Sequence, residues 1–397
     1  MARQKGSIRV LYSFPHKLGG TRICNIAWHQ VEGVAAAGAE VLAFPGVLQK
    51  PLPTAITVRP TLARGKLRIP YRLLGGKRGC ALHDWIVARR LEHLADQVDI
   101  VHCWPLGALR TLKAARKLGI ASVLERPNAH TRFAYEVVDK ECRKLGITMP
   151  PGHEHAFNAE YLRLEQEEYE AADTLLCPSD FVARTFRDEG FPPEKLARHQ
   201  YGFDDKVFSP GNQNANDGRG LQVLFAGGCA PRKGLHYALE AWLQSSACDG
   251  GTFQVAGEFI PGYAEKLATM LAHPTVKVLG YRKDVPELMR QSDIFVLPSI
   301  EEGSALVTSE ARGSGCVLLV SEASGAVCRH MENALVHPVG EVKMLAQHFT
   351  MLHDDRSLLE RLRSSSLRTT REITWAAAGV RLLQAYRGLL SPELTAA

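Results

Sequence analysis

The order in which apolar runs, loops and helical segments alternate is the feature that most constrains the fold of this chain. An apolar run from Ile8 leads through a glycine loop to a helical segment over 25–38, and a second apolar run follows. The same order restarts at Gln222, after the polar, glycine-rich segment 204–220. Such alternation is typical of parallel sheets covered by helices. We therefore predict an α/β protein with two doubly wound, Rossmann-like domains.

The length of the chain agrees with two domains, because 397 residues exceed what one hydrophobic core normally organises. The predicted boundaries are 1–205 for the first domain and 206–373 for the second. The segment 374–397 reads as an amphipathic helix, which we expect to return to the first domain. The cleft between two such domains is the default place for a ligand.

Composition excludes several classes of protein. A net charge of +6 permits anionic ligands without requiring nucleic acid, and no nucleic-acid-binding motif is present, so we expect no nucleic acid partner. The nine cysteines are scattered without CxxC spacing, which argues against a disulfide framework and a zinc site. No apolar run approaches the ~20 residues that span a bilayer, and no signal region is recognisable. We expect a cytoplasmic protein that could still lie on a membrane.

A basic segment over 50–78 leaves two interpretations open. The stretch 41–83 contains no acidic residue. A solvated basic loop is the slightly favoured interpretation. The alternative is a surface that meets acidic headgroups or an anionic acceptor, where each basic residue contributes about 1 kcal/mol. The basic residues are Lys50, Arg59, Arg64, Lys66, Arg68, Arg72, Lys77 and Arg78.

Two glutamates surround a predicted strand–loop–helix junction in the second half. Glu302 lies in the loop that follows the apolar run ending at Leu297, and Glu310 lies about one turn inside the next helix. Both would face the crevice where open α/β sheets bind ligands. The backbone amides of 303–306 would be donors at a helix N-terminus, which suits a phosphate. Stabilisation of the helix dipole alone would also explain the acids.

A second strand–loop–helix junction carries adjacent cations. The loop contains Gly227, Gly228, Arg232 and Lys233. Two cations near a helix N-terminus would suit a pyrophosphate, although an Arg-Lys pair in a loop is more often solvated charge. The pattern is neither a Walker A loop nor GxGxxG, which weakens the nucleoside triphosphatase and dinucleotide interpretations.

Two loops of the first half are weaker candidates. Gly19 and Gly20 follow the first predicted strand and would let backbone approach a ligand, although such a pair more often only reverses the chain. His130 follows the predicted strand that ends at Glu125. A histidine in that place is about as often a plain surface residue as a functional one.

Taken together, these motifs resemble the retaining glycosyltransferases of the GT-B fold, glycosyltransferase family 4. The resemblance covers nearly the whole chain and is strongest over 170–330. It is carried by the segments 172–179, 201–210, 225–241, 278–285, 292–299 and 302–311 and by Thr374-Trp375.

The resemblance implies a role for each matching residue. Lys233 would neutralise the diphosphate of a nucleotide-sugar donor, Glu310 would accept hydrogen bonds from the ribose, and Glu302 would hold the sugar. His130 would reach the sugar, which makes His130, Lys233 and Glu302 the implied catalytic residues. The implied donor-binding set is Gly19, Gly20, Gly228, Arg232, Lys233, Tyr281, Arg282, Glu302, Gly303, Ser304, Ala305, Leu306 and Glu310.

The implied activity is transfer of a sugar from a nucleotide diphosphate sugar, with retention of configuration and without a metal or other cofactor. The acceptor would be a glycan, a lipid-linked molecule or a small molecule, in polysaccharide biosynthesis. A non-catalytic binding protein and a nucleotide-sugar epimerase remain alternatives. Two departures from the family pattern matter. Gly228 replaces a common arginine, for which Arg232 is a candidate substitute, and Ser304-Ala305 replaces Phe-Gly.

Overall fold

A computed structural model describes residues 7–64, 67–68, 71–211 and 219–390. Its strands are β1 Arg9–Leu18, β2 Glu40–Leu48, β3 Thr57–Val58, β4 Ala63–Arg64, β5 Leu67–Arg68, β6 Ile100–Cys103, β7 Ala121–Glu125, β8 Thr174–Cys177, β9 Leu196–Arg198, β10 Gln222–Ala226, β11 Thr252–Ala256, β12 Val276–Gly280, β13 Ile294–Leu297, β14 Val317–Ser321 and β15 Ala334–His337. Its α-helices are α1 Ile23–Ala36, α2 Tyr71–Glu92, α3 Leu109–Leu118, α4 Thr131–Leu145, α5 Ala159–Ala171, α6 Asp180–Asp188, α7 Leu235–Leu243, α8 Tyr263–Lys266, α9 Ala268–Leu271, α10 Val285–Gln291, α11 Leu306–Gly313, α12 Val342–Asp354, α13 Arg356–Arg368 and α14 Trp375–Leu390.

The chain forms two compact units. Unit 1 consists of Met1–Pro127, Asn158–Tyr201 and Trp375–Ala397, and unit 2 consists of Asn128–Phe157 and Gly202–Thr374.

The segment 128–157 differs from the prediction, which placed it in the first domain. The reason is the packing of α4, a helix that the sequence interpretation did not identify. Its buried Val138 and Cys142 lie in one apolar cluster with Tyr237 and Ile300 of unit 2. Burial of these apolar side chains stabilises α4 against unit 2, although the neighbouring segments of the chain belong to unit 1.

Unit 1 is built on a seven-stranded sheet. Its order is β3-β2-β1-β6-β7-β8-β9, and each neighbouring pair is parallel. The strands β6 and β8 are buried along their whole length, as expected for strands covered by helices on each side. The final helix α14 belongs to this unit and packs closely on α1. A Cβ atom at Gly379 would lie 2.4 Å from the backbone of Gly33, so only glycine permits this approach.

Unit 2 is built on a six-stranded parallel sheet of order β12-β11-β10-β13-β14-β15. The chain builds outward from β10 first to one side and then to the other, so the strand order reverses between β10 and β13. Loops at the carboxyl ends of strands diverge at such a point and leave a crevice. The loops that carry Lys233 and Glu302 follow these two strands. With the sheet of unit 1, this architecture confirms the predicted α/β class and its two Rossmann-like domains.

Two further features concern membranes. Within the stretches 7–64, 67–68, 71–211 and 219–390, no helix is long and apolar enough to cross a bilayer. The basic segment 50–78 includes 65–66 and 69–70, which lie outside the described residues. Its contact with an anionic surface therefore stays a prediction.

Candidate functional site

The loops after β10 and β13 are held together backbone to backbone. Gly234 has a φ of 68°, and a Cβ atom there would lie 2.0 Å from the carbonyl oxygen of Pro298. The amide of Ile300 donates to the carbonyl oxygen of Arg232 at 2.9 Å. A side chain at position 234 would therefore force the loops apart. The glycine brings the cations of one loop beside the acids of the other.

Four charged residues meet between these loops. Arg232 Nη1 lies 3.0 Å from Glu302 Oε2 and 3.4 Å from Glu301 Oε2. Lys233 Nζ forms an ion pair with the other oxygen of Glu302, and Ser299 Oγ donates to that oxygen at 3.3 Å. The cluster of Arg232, Lys233, Glu301 and Glu302 therefore combines two positive and two negative side chains.

Burial governs the charges of this cluster. It favours the neutral form of Glu302, but Arg232 and Lys233 outweigh this effect and lower the pKa of Glu302 to about 2. Burial raises the pKa of Glu301, against the attraction of Arg232. It lowers the pKa of Lys233, against the attraction of Glu302. Glu302 is thus ionised at neutral pH and pairs with both cations.

Glu310 presents a different environment, on the second turn of α11. Burial raises its pKa to about 7. Its carboxylate has no hydrogen-bond or ion-pair partner among the described residues, unlike that of Glu302. A largely buried carboxylate without a partner is costly unless a ligand supplies hydrogen bonds. The side chain is therefore suited to accept hydrogen bonds from hydroxyl groups.

The predicted row of free amides at the start of α11 is only partly correct. Ala305 donates its N–H group to the carbonyl oxygen of Ser324 at 3.2 Å, so the expectation of a free donor at Ala305 is wrong. Ser324 lies in the loop after β14, the next strand of the sheet, and tertiary packing brings its carbonyl group here. In the described part of the chain, the amides of Ser304 and Leu306 have no hydrogen-bond acceptor. These two groups remain oriented by the helix terminus for an anion.

Close packing also determines the position of Gly303. A Cβ atom at Gly325, whose φ is 63°, would lie 2.4 Å from the carbonyl oxygen of Gly303 and 2.9 Å from Cα of Ser304. The loop that leads to α11 is therefore pressed against the loop after β14. This contact limits the freedom of the segment that joins Glu302 to the helix.

His130 lies in the same unit as Lys233 and Glu302. It immediately precedes α4 and is 1% exposed. The amide of its neighbour Ala129 donates to Glu301 Oε1 at 3.3 Å. The histidine loop is thus joined to the loop that carries both buried glutamates. This proximity could not be read from residues that are separated by about 170 positions.

The other predicted residues lie further out or in the other unit. Tyr281 follows β12 and is 67% exposed, and Arg282 forms an exposed ion pair with Asp284. Gly19 and Gly20 lie in unit 1 after β1, where the amide of Gly19 donates to the carbonyl oxygen of Cys24 at 3.0 Å. Gly19 has a φ of 84°, which favours glycine.

The structure also bears on the departures from the family pattern. Gly228 is exposed, and a Cβ atom there would meet no heavy atom within 4 Å. Arg232, the candidate substitute for the missing arginine, is directed to Glu301 and Glu302. Glu301 was not identified as functional from the sequence. The signal available was a second acid beside Glu302 to match the second cation beside Lys233.

His155 is a further residue that the sequence interpretation did not select. Burial, together with the nearby charge of Arg232, lowers its pKa to about 2. The His155 ring therefore lies close enough to the charged cluster to interact with it electrostatically. It belongs to the same segment as α4 and had no motif to mark it.

Comparisons with known proteins identify the family of this chain. The family model for Glycosyltransferase Family 4 matches residues 25–206, and that for Glycosyl transferases group 1 matches residues 220–355. The UDP-Gal:alpha-D-GlcNAc-diphosphoundecaprenol alpha-1,3-galactosyltransferase of Escherichia coli is 43% identical over 51 residues, which is 13% of each chain. The D-inositol 3-phosphate glycosyltransferase of Thermomonospora curvata is 23% identical over 397 residues, which is 89% of this chain and 88% of the relative.

The fold is similar to a solved structure over nearly the whole chain, although the sequence identity is low. The crystal structure of Anabaena HepE in complex with UDP has a TM-score of 0.63 and 17% identity, covering 96% of this chain and 100% of that chain. The matches span between 13% and 42% of the length of three of the curated relatives. The two family models together match most of the chain. This chain therefore belongs to the GT-B glycosyltransferases of glycosyltransferase family 4.

Proposed function

We propose that this protein transfers a sugar from a nucleotide diphosphate sugar to a lipid-linked acceptor, with retention of configuration. The observation that carries the proposal is the buried cluster of Arg232, Lys233, Glu301 and Glu302 at the reversal of strand order in unit 2. Glu310, a partly buried carboxylate with no partner in the described chain, supports it. The UDP complex of Anabaena HepE makes a uridine nucleotide the first donor to test.

Different residues of unit 2 would bind the diphosphate, the sugar and the ribose of a donor. The diphosphate would replace Glu302 as the partner of Lys233, and the amides of Ser304 and Leu306 would add hydrogen bonds at the positive end of α11. Glu302, released from Lys233, would accept hydrogen bonds from the sugar, and Glu310 would accept them from the ribose. Fixed charges of this kind stabilise a departing diphosphate in the role that a metal has elsewhere.

Retention of configuration is inferred from the family to which the chain belongs, and the state of Glu302 bears on how it would be achieved. A carboxylate with a pKa of about 2, held by two cations, is suited to holding a sugar and is a poor nucleophile. We therefore assign no covalent intermediate on this residue. NMR of the first-formed product tests the proposal, because retention requires the anomeric configuration of the donor. An inverted product would exclude it.

The acceptor class is supported by the name of the Escherichia coli relative, which contains a diphosphoundecaprenol acceptor. A surface on unit 1 also suits an anionic membrane that holds such a lipid. The outward side of α2 carries Trp85, which is 47% exposed, together with exposed Arg78 and Arg89. Aromatic and basic side chains combine in this way at headgroups. Flotation with anionic and neutral vesicles at low salt tests the contact, and protein that stays free of anionic vesicles would exclude it.

A donor screen tests the central proposal. The purified protein is titrated with UDP-, GDP- and ADP-sugars, and release of nucleoside diphosphate is followed with and without lipid-linked acceptors. Binding followed by acceptor-dependent release, unchanged by a chelator, is the expected result. No binding of any donor would exclude the proposal. Binding without release would favour a non-catalytic protein, and interconversion of the nucleotide sugars would favour an epimerase.

A further inference from the structure

Glu301 is a fully buried carboxylate that joins two loops of the candidate site. Its Oε1 accepts a hydrogen bond from the amide of Ala129 at 3.3 Å, and Ala129 immediately precedes His130. Its carbonyl oxygen accepts from Arg232 Nη1 at 2.9 Å, and its Oε2 lies 3.4 Å from the same nitrogen. One residue therefore contacts both the histidine loop and the loop that carries Lys233.

The charge of Glu301 restricts what Arg232 can do. The Arg232 side chain is 12% exposed, and both of its acidic partners are nearly or completely buried. If the guanidinium moved to a diphosphate, Glu301 would remain buried without a counter-ion. Removing one partner of a buried pair is far more costly than losing an exposed one. Lys233 faces no such restriction, because Glu302 can keep Arg232 as its partner when Lys233 turns to a ligand.

We propose that Glu301 is a positioning residue that anchors the loop of His130 and retains Arg232 as an internal counter-ion, so that Lys233 is the cation that meets the diphosphate. The functional part rests on the proposed donor site. The coupling between Glu301, Arg232 and the amide of Ala129 is a property of unit 2 and can be measured without turnover.

The first experiment is a double-mutant cycle on UDP affinity. Arg232→Met leaves an excess negative charge in the cluster, so we expect UDP binding to weaken by about tenfold or more. Adding Glu301→Gln returns the cluster to its original net charge, so affinity should recover by about threefold or more relative to Arg232→Met. Recovery stays below the wild type, because Glu302 then has only Lys233 as a counter-ion. If Arg232 contacts the diphosphate itself, the double variant stays as weak as Arg232→Met, and the proposal is overturned.

A matched control uses an exposed pair in the same unit. Arg329 Nη1 lies 3.3 Å from Glu332 Oε2, and both side chains are more than half exposed. Arg329→Met, Glu332→Gln and their combination should leave UDP affinity unchanged within about twofold. A loss as large as that of Arg232→Met would show that charge alone, without burial, produces the effect, and would overturn the assignment of Arg232.

The second experiment measures the loop of His130 in the intact protein. Hydrogen–deuterium exchange of the segment 126–135 should become faster in Glu301→Ala, which removes the acceptor of the Ala129 amide. It should stay close to the wild type in Glu301→Gln, whose side-chain oxygen still accepts. Equal exchange in all three proteins overturns the proposal. A Glu301→Ala variant should also lose more in kcat than in KM, with rescue by Glu301→Gln.

These readouts separate the inference from the proposed function. If the wild type binds no nucleotide, the donor site is wrong, while exchange and denaturation of the same variants still decide whether Glu301 anchors the loop. Recovery of the denaturation midpoint in the double variant, relative to Arg232→Met, is expected in either case. If the midpoint of the double variant falls by the sum of the two single effects, the coupling is absent and the inference fails.

Discussion

Gly228→Arg should increase the affinity of this protein for a nucleoside diphosphate. Gly228 lies between the end of β10 and the turn that carries Lys233, where the family commonly has an arginine. A Cβ atom at this position meets no heavy atom within 4 Å, and the φ of Gly228 is not in the left-handed range. The backbone therefore accepts a side chain here without strain.

The magnitude follows from the surroundings of the position. A well-formed hydrogen bond to a charged group contributes about 1.5 to 3 kcal/mol. Gly228 is exposed, and solvent screening with loss of side-chain freedom reduces this contribution. Arg232 cannot compete for the same phosphate while Glu301 and Glu302 hold it. We therefore expect a gain of about 1 kcal/mol, which is roughly a fivefold decrease in the Kd for UDP.

Calorimetric titration with UDP measures this change, with Gly228→Gln as an uncharged control of similar length. The gain should shrink as ionic strength rises, because exposed charges are screened. Equal affinities of the arginine variant and the wild type, in folded protein, would refute the reasoning. An equal gain in Gly228→Gln would show that packing, not charge, is responsible.

Three other changes test separate parts of the molecule. Lys233→Met should weaken UDP binding by about 1.5 to 3 kcal/mol in the same titration, whereas exposed Lys343→Met should not. Glu310 has a pKa of about 7 because it is buried, so UDP affinity should fall as its carboxylate is protonated between about pH 8 and pH 6, and Glu310→Gln should flatten this dependence. Glu125 is fully buried in unit 1 with His199 Nε2 at 2.9 Å and the Tyr201 hydroxyl at 2.7 Å. Glu125→Gln should lower the free energy of unfolding by about 1 to 3 kcal/mol at neutral pH. Burial opposes ionisation of Glu125, but His199 lowers its pKa overall, so this contribution is present above the ordinary pKa of a glutamate and is lost as pH falls through the folded value. Urea denaturation at neutral and acidic pH measures it, and a variant as stable as the wild type at neutral pH would contradict the assignment.

Local patterns were enough to predict much of the fold. The strand from Ile294 to Leu297 was identified because a buried parallel strand requires an apolar run. The helix after it was identified because Gly313, its last residue, and Gly315 mark its end. β15 was missed, since four residues at the edge of a sheet carry too weak a pattern. The helix α4 was missed as well, although its apolar residues recur at helical spacing.

The candidate site likewise contains residues that the sequence identified and contacts that it could not predict. Glu302, Glu310 and Lys233 could be selected from the sequence, because each stands at a recognisable strand–loop–helix junction. The partners of Arg232 and the acceptor for the Ala305 amide could not be predicted. They depend on which loops become neighbours at the carboxyl ends of the strands. Glu301 had only the weak signal of a second acid beside Glu302, and His155 had none, so burial beside the cluster is what marks both residues.

The sequence by itself determined the class of fold and the residue types available for binding a diphosphate, because apolar periodicity, glycines and charged junction residues are local properties. Only the tertiary structure decided that 128–157 belongs to unit 2 and that Arg232 is held by two buried acids. It also decided that Glu310 is left without a partner in the described chain. These outcomes depend on burial and on distances between residues far apart in sequence, and those quantities do not exist until the sheet of unit 2 has formed.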